Sequence, residues 1–462
     1  MVSTSARRRF QHDLRRGLGS ALLMLQASPE PQAYAEAVRW TCLNFTGYDF
    51  QCEGGRGWYL YRAATLTGFA DSILADVIDS FVRCRPVGWR FNHLSDILLH
   101  FAMNGSDAAR LALWDGYHGL MRRYLRTVRR GAWWSSVSTL EGLALDLVSL
   151  DGWDAAQTAM SGFGEALALW PAESQHDRWK YFPEWFDDSI RQQFGDDTVD
   201  VSLAGEASPA LSAYAEVAAM CQTKPWRGGP STPAPTAEAL RDAIEQARRG
   251  EVSFGRLRGA SMQLANRRNP AYAKQVATFG LDEPDPEIKA ALLWAFRTRA
   301  FPLLDDALDN ALAPLVDADH DKLRQVVRSI LGRRSAEWKR THALALLERG
   351  EHVGEALDLL QASYQPEDEA AVDAAIRRMS LRGDDWHSAF GGVLDLLKPD
   401  DRPVTTGVLE YIYRQTLCAY CRECTLDLMR DKHVLSDRIV QECHWDSNAD
   451  IRNLAAQMTP AN

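Results

Sequence analysis

The feature that most constrains the fold is an apolar helical stripe that returns several times behind an acidic turn. In the clearest copy, the Asp-Pro turn at 285–286 leads into segment 288–296, where apolar residues recur three and four positions apart. A helix with this pattern cannot bury its stripe alone, so each copy must pack on its neighbours. The pattern therefore predicts stacked helices in the second half of the chain. Further copies begin near Asp321, Asp368 and Asn448.

Helical periodicity also fills the first half, and no segment alternates apolar and polar residues for long enough to indicate a strand. Segment 224–236 holds four prolines and two glycines in 13 residues and cannot be helical. Thr236, at its end, is suited to cap the next helix. The prediction is an all-α protein with an N-terminal helical domain over 1–223, a Pro/Gly-rich linker over 224–236 and a repeat domain over 237–462.

Composition narrows the class of function. The chain of 462 residues carries a net charge of −10, which disfavours bulk binding of nucleic acid, although a local basic strip could still hold phosphate. Most of the 15 tryptophans lie in the first half. We interpret them as aromatic anchors of a helical core, with a stacking surface for bases or sugars as the alternative. No apolar run is long enough for a membrane span, and eight dispersed cysteines indicate a reduced, cytoplasmic protein.

Two groups of residues are candidate binding sites. Asp49, Glu53 and Arg56 lie in a polar, glycine-rich loop, which either presents groups to a ligand or fixes a turn through a local ion pair. The second group consists of five arginines on nearly one face of a long helix, followed by two tryptophans. It could dock phosphate or an acidic partner, or be a solvated face that pairs with the acidic pairs 187–188 and 196–197. Its members are Arg122, Arg123, Arg126, Arg129, Arg130, Trp133 and Trp134.

The cysteines near the end of the chain are candidate metal ligands. Cys418, Cys421 and Cys424 are spaced by three, and Cys443 follows with a histidine beside it. Thiolates and imidazoles bind zinc, and a C-x-x-C pair often supplies two of four ligands. Segment 417–429 is predicted to be helical, however, which spreads the thiols around a cylinder. Buried packing residues are therefore the favoured interpretation, with structural zinc or a redox switch as alternatives, and no cofactor is expected.

The acidic turn, the apolar helix and an inward Lys or Arg resemble HEAT-type repeats over about residues 236–458. Segments 48–56 and 418–424 are also similar to parts of uncharacterised bacterial HEAT-repeat-containing proteins. The resemblance implies an α-solenoid of HEAT-like helical hairpins. Proteins of this kind usually bind other macromolecules. We further expect the final helix, about 450–458, to cap the array.

The expected function is that of a non-enzymatic scaffold that presents a concave surface to a protein or other macromolecular partner. The sequence lacks a phosphate loop, a dinucleotide fingerprint, a nucleophile elbow and an H-E-x-x-H motif. His93 and His100 lie seven apart, but we find no matching pattern of carboxylates. The alternative is a DNA-binding or DNA-repair enzyme of the helical-repeat glycosylase type, which uses a lone Asp with aromatic residues.

Overall fold

The computed structural model describes most of the chain, and all structural statements below concern that part. The predicted all-α class is confirmed, since about 81% of the structure is helical and the described part contains 26 α-helices and no strand. No helix in that part combines the length and apolar character needed to cross a membrane. The described residues are 2–48, 55–86, 88–130, 137–169, 182–205, 208–223, 236–266, 270–297, 306–379, 385–399, 402 and 406–458.

The helices are numbered in chain order. The first twelve are α1 (Thr4–Arg16), α2 (Gly19–Ala27), α3 (Ala35–Leu43), α4 (Arg56–Thr67), α5 (Ala70–Arg83), α6 (Trp89–Met103), α7 (Asp107–Val128), α8 (Val137–Asp151), α9 (Trp153–Ala168), α10 (Glu184–Phe194), α11 (Asp196–Gly205) and α12 (Pro209–Thr223). The remainder are α13 (Ala237–Arg248), α14 (Phe254–Ala265), α15 (Pro270–Asp282), α16 (Pro286–Leu293), α17 (Asp306–Leu312), α18 (Asp321–Leu331), α19 (Glu337–Arg349), α20 (Val353–Leu360), α21 (Glu369–Arg378), α22 (Asp385–Leu397), α23 (Thr406–Gln415), α24 (Ala419–Asp431), α25 (Asp437–Cys443) and α26 (Ala449–Met458).

The chain divides into two compact units. Unit 1 comprises 1–227, 416–423 and 436–462, and unit 2 comprises 228–415 and 424–435. The two segments near the C-terminus thus fold with the N-terminal helices. This division differs from the expectation that 237–462 forms one domain. The predicted linker, apart from Thr236, lies outside the described residues.

Unit 1 is built around α6, which packs against α4, α5, α7 and α8. Its apolar face is fully buried, with Leu94, Ile97 and Leu98 each at 0% exposure. Helix α7 starts at Ser106, whose hydroxyl accepts the Ala109 N–H at 3.3 Å and so satisfies one of the free donors of the first turn. These contacts hold the polar residues of α6 in a fixed position relative to α4 and α8.

The tryptophans of the first half lie mostly at the edge of this core. Trp40, Trp89 and Trp185 are 42%, 52% and 55% exposed, and Trp58, Trp114 and Trp153 are only partly buried. The interpretation as anchors of a helical core agrees with Trp58, Trp114 and Trp153, which pack against the apolar core as partly buried residues. It is wrong for Trp40, Trp89 and Trp185, whose exposed surface remains accessible to a partner.

The C-terminal segments complete unit 1 through close contacts. The Arg422 guanidinium donates to both carboxylate oxygens of Asp446, at 2.9 and 2.8 Å, and both side chains have 0% exposure. Trp445 stacks on Trp58 with ring centroids 6.5 Å apart. The last helix, α26, buries Ile451 completely. We expected this helix to cap the repeat array, but it belongs to unit 1.

Unit 2 consists of helices in two rows. In one row α14 packs on α16, α16 on α18, α18 on α20 and α20 on α22. In the other, α13 packs on α15, α15 on α17, α19 on α21 and α21 on α23, while most consecutive helices also contact each other across the rows. In each of these pairs, the apolar stripe of one helix is covered by the next helix of the same row.

Charged side chains connect next-but-one helices of unit 2. Arg324 and Arg328 on α18 both donate to Glu355 on α20 at 3.0 Å. In the other row, the Lys339 ammonium on α19 donates to Asp309 on α17 at 2.7 Å and is 1% exposed as a side chain. Because these buried cations are paired and hydrogen-bonded, they fix the spacing between helices without leaving an uncompensated charge.

Candidate functional site

The predicted arginine face is a basic surface on the C-terminal half of α7 and the residues after it. All five arginines are exposed. The only ion pair that they form within the described residues is a long one, from Arg129 Nη2 to Glu165 Oε1 at 3.8 Å. Two of the acidic residues considered as their partners, Asp187 and Asp196, pair with Arg191 instead, so that alternative is wrong for these two. Trp133 and Trp134 lie outside the described residues. The arginine face, as the term is used below, is Arg122, Arg123, Arg126, Arg129 and Arg130.

An apolar cleft borders the arginine face. The cleft has a volume of about 190 Å³, and Arg123 is one of its lining residues. Gly116 and Gly119 form part of the α7 wall, and a Cβ placed on Gly119 would meet no atom within 4 Å. The missing side chain at Gly119 therefore leaves room for an apolar group beside Arg123, whereas at Gly116 the Phe81 ring, 2.7 Å from a placed Cβ, already fills the space. The other lining residues are Phe81, Val82, Cys84, Pro86, Phe91, Ala112, Asp115 and Leu120.

Of the three residues of the predicted loop site, the structure describes only Arg56. Asp49 and Glu53 lie outside the described residues. Arg56 is 1% exposed, and its Nη2 donates to the Arg15 carbonyl at 2.5 Å and to Thr46 Oγ1 at 2.6 Å. The interpretation of Arg56 as a residue that presents itself to a ligand is therefore wrong. It holds the start of α4 in place.

The cysteine group is mostly buried. Cys418, Cys421 and Cys443 have 0%, 6% and 3% exposure, and Cys424 is partly buried. Burial agrees with small apolar packing residues, because a thiol in an apolar environment behaves as a hydrophobe. A packing role for these cysteines, with zinc as its alternative, stays a prediction.

The two histidines noted in the sequence share α6 with a carboxylate that was not predicted to accompany them. His93, Asp96 and His100 are spaced by three and four residues, which puts them on one side of the helix. Asp96 Oδ2 accepts the Gly57 N–H at 2.6 Å, and His100 Nε2 lies 3.7 Å from Asp96 Oδ1. Position 57 must be a glycine for this contact, since a Cβ there would lie 2.4 Å from the Asp96 carbonyl oxygen.

Asp146 on α8 extends this set across the α6–α8 contact. Burial, together with the negative charge of Asp96, raises the pKa of Asp146 well above its ordinary value. Asp146 has no hydrogen bond or ion pair with any described side chain, although it keeps some solvent-accessible surface. Burial raises the pKa of Asp96 to about 6, against the opposing effect of the Gly57 hydrogen bond. We call Asp96 and Asp146 the acid pair.

The pKa values of the two histidines beside the acid pair are lowered, whereas those of the two carboxyls are raised. Burial, with a smaller contribution from the Arg452 charge, lowers the pKa of His100 to about 4. Burial, followed by the charge of Arg56, lowers the pKa of His93 to about 3, and His93 Nε2 lies 3.2 Å from the Thr41 carbonyl. At neutral pH the site therefore combines neutral imidazoles with carboxyls that can exchange protons, a composition suited to general acid–base chemistry.

Part of this set could have been found from the sequence. The pattern H-x-x-D-x-x-x-H over 93–100 supplies the carboxylate for which we looked beside the two histidines. Asp146 gives no such signal, because its proximity to Asp96 depends on how α6 and α8 pack.

Comparison with known proteins identifies no relative of the chain. No protein-family model matches it, and no curated protein is significantly similar to it.

Proposed function

We propose that the protein is a non-enzymatic, cytoplasmic binding scaffold that docks an acidic protein partner on the arginine face of α7. The observation that carries the proposal is the arrangement of exposed, mostly unpaired arginines beside an apolar cleft. Stable protein interfaces combine an apolar centre with a polar rim, and Arg is enriched at them because its planar group binds carboxylates in a fixed geometry. An apolar side chain of the partner would enter the cleft while its acidic residues pair with the rim.

Within this proposal, unit 2 is an α-solenoid of HEAT-like hairpins with a curved, concave surface. The two rows of helices support it, since each helix packs on the next but one, as stacked hairpins do. The charged contacts support it as well, because Arg324–Glu355 and Lys339–Asp309 each connect equivalent helices of successive hairpins. An extended stack of this kind offers a large surface to a macromolecule without requiring any catalytic group.

Binding of a defined probe tests the arginine face. A labelled amphipathic helical peptide of alternating acidic and leucine-rich faces is titrated with the protein, and fluorescence anisotropy is recorded. The triple variant Arg122→Glu, Arg126→Glu, Arg129→Glu should bind about tenfold or more weakly, and the difference should shrink at high salt. A control variant changes the same net charge at exposed positions elsewhere, namely Arg8, Arg249 and Arg349.

Two results would overturn this assignment. Equal loss of binding in the control variant would show that only net charge matters. Tighter binding of a single-stranded oligonucleotide than of the acidic peptide, lost in the triple variant, would make the arginine face a nucleic-acid surface.

A second candidate function is enzymatic and rests on the acid pair. A carboxyl with a pKa of about 6 beside a second carboxyl whose pKa is also raised suits general acid–base hydrolysis. Release of alkylated bases from DNA by the purified protein, abolished in Asp96→Asn and in Asp146→Asn, would favour this candidate over the scaffold. Absence of release would contradict the enzymatic candidate.

A further inference from the structure

A groove between α1 and α3 in unit 1 is separate from the arginine face. It has a volume of about 340 Å³, which is within the range of ligand-binding clefts. Its floor is apolar and includes Phe10 and Tyr34, which are 0% and 5% exposed. Its rim is polar on the α1 side, and Trp40 lines the α3 side with 42% of its surface exposed. The groove therefore offers an apolar strip between an aromatic wall and a charged one.

The charge of the α1 wall comes from Arg7 and Arg15, and the neutral Gln11 lies between them. The three residues are spaced by four and so share one face of α1. Both arginines are exposed, and neither forms an ion pair within the described part of the chain. The Arg15 guanidinium carbon lies 4.4 Å from the centroid of a Trp40 ring. Stacking occupies the face of the guanidinium and leaves its N–H edge free to donate to a carboxylate.

The spacing of the two arginines defines the ligand. Eight residues of α-helix rise about 12 Å between Arg7 and Arg15. In an extended peptide, two residues four apart are separated by about 13 Å, and their side chains point to the same side as the one midway between them. We infer that the groove binds an extended acidic peptide with two carboxylates four residues apart and an apolar side chain midway. The carboxylates pair with Arg7 and Arg15, and the apolar group contacts the floor.

The remaining charges around the groove agree with this assignment. Glu36 also lines it, but its side chain is 83% exposed and lies 3.7 Å from Arg39 Nη1, which compensates part of its charge. Arg8 and Arg9 lie on the same helix, so the local field remains positive although the whole chain carries −10. A basic or neutral peptide would lack both ion pairs and would face an uncompensated cationic wall.

The test uses a labelled seven-residue peptide with two glutamates four apart, a leucine midway and serines elsewhere. Fluorescence anisotropy of the full-length protein should show saturable binding that weakens as salt is added. Arg7→Glu and Arg15→Glu should each weaken binding about tenfold, and Trp40→Ala should weaken it as well. The matched control is Arg8→Glu, which changes the same charge on the same helix outside the groove and should change binding less than about twofold.

Two further comparisons decide the outcome. A peptide of identical composition with its two glutamates adjacent should bind more weakly than the spaced peptide. Equal binding of the two peptides, or equal loss in Arg8→Glu, would overturn the groove and leave only diffuse attraction. Thermal melting shows whether each variant is folded. If Arg15→Glu does not fold, Arg7→Glu still decides the outcome, because Arg7 is exposed and its side chain forms no ion pair with a described residue.

The proposal for the groove and the proposal for the arginine face can be refuted independently of each other. The triple variant of the arginine face should bind the spaced peptide as the unaltered protein does. Loss of spaced-peptide binding in that variant would place the peptide on α7 and overturn the groove.

Discussion

Two carboxyl groups of unit 1, those of Asp96 and Asp146, lie in an environment that disfavours their charged form. The Gly57 N–H donates to Asp96 and offsets part of the desolvation cost of its carboxylate. Asp146, in contrast, has neither a hydrogen bond nor an ion pair with any described residue. A buried carboxyl without such compensation destabilises the folded state when it ionises. Ionisable groups with pKa values strongly shifted by burial are more frequent at functional sites than elsewhere. The acid pair therefore supports the enzymatic candidate.

Asp146→Asn should stabilise the protein at high pH. The folded-state pKa of Asp146 is raised, so its contribution is favourable below the unfolded pKa of about 3.9 and is lost as pH rises towards the folded value. The substitution removes the ionisation, and the free energy of unfolding should rise by about 1–3 kcal/mol at pH 8 but change little at pH 4. Urea denaturation at the two pH values measures this.

The same experiment contains its own controls. His93 and His100, whose pKa values are lowered, destabilise the folded state as pH falls. Because they do so equally in the unaltered protein and in Asp146→Asn, their effect cancels when the two free energies of unfolding are subtracted. Asp115→Asn on α7, an exposed position, should leave stability unchanged at both pH values. No gain for Asp146→Asn at pH 8 would show that the carboxyl is not unfavourably placed.

Residue-scale predictions succeeded where the chemistry is local. Thr236 caps α13 by accepting the Ala239 N–H at 3.1 Å, as its sequence position predicts. Asn448, near which the last copy of the repeated pattern begins, caps α26 by accepting two N–H groups. Local periodicity is a weaker guide to burial, since Leu111, an apolar residue of α7, is 65% exposed. Periodicity marks one side of a helix but does not show how far the neighbouring helices extend along it.

At the scale of elements, close approach between backbones decides where unit 1 can tolerate a side chain. Gly19 begins α2, and a Cβ placed there would lie 1.8 Å from the Glu442 carbonyl oxygen of α25. The contact is between backbones, so the neighbour cannot rotate away as a side chain could. The sequence shows a glycine in a helical run but not the element that lies against it.

Gly19→Ala should therefore destabilise unit 1 by about 1–3 kcal/mol, because α2 and α25 must separate to accept a methyl group. Gly119→Ala is the matched control, since this glycine also lies in a helix of unit 1 but its Cβ would meet no atom within 4 Å. There the higher helix propensity of alanine should give a gain of up to about 1 kcal/mol. Thermal melting compares the two, and equal effects would contradict the packing of α2 on α25.

At the scale of the whole molecule, the order of helices along the chain does not define the two units. The periodicity that predicts stacked helices continues to residue 458, and nothing in it distinguishes 416–423 and 436–462 from the segments between. Their membership of unit 1 depends on tertiary contacts such as Arg422–Asp446 and Trp58–Trp445. The all-α class followed from local patterns, whereas the assignment of these ends required the structure.

A chain that ends after Cys443 should lose much of the stability of unit 1. The truncation removes Asp446, which leaves the Arg422 guanidinium, at 0% exposure, without the carboxylate that binds it. Breaking a buried ion pair by removing one partner costs about 3–5 kcal/mol. It also removes Ile451, whose burial contributes about 1.5–3 kcal/mol, and uncovers the Trp58 ring on which Trp445 stacks.

Calorimetry of three proteins separates these contributions. The chain ending after Met458 should melt like the full chain, because it keeps every contact named above. Asp446→Asn should lower the melting temperature through the ion pair alone, since the amide keeps the shape of the carboxyl but not its charge. The chain ending after Cys443 should melt several degrees lower still, because α26 and Trp445 are also lost. If it melts at the temperature of the full chain, the C-terminal segment does not contribute to the stability of unit 1.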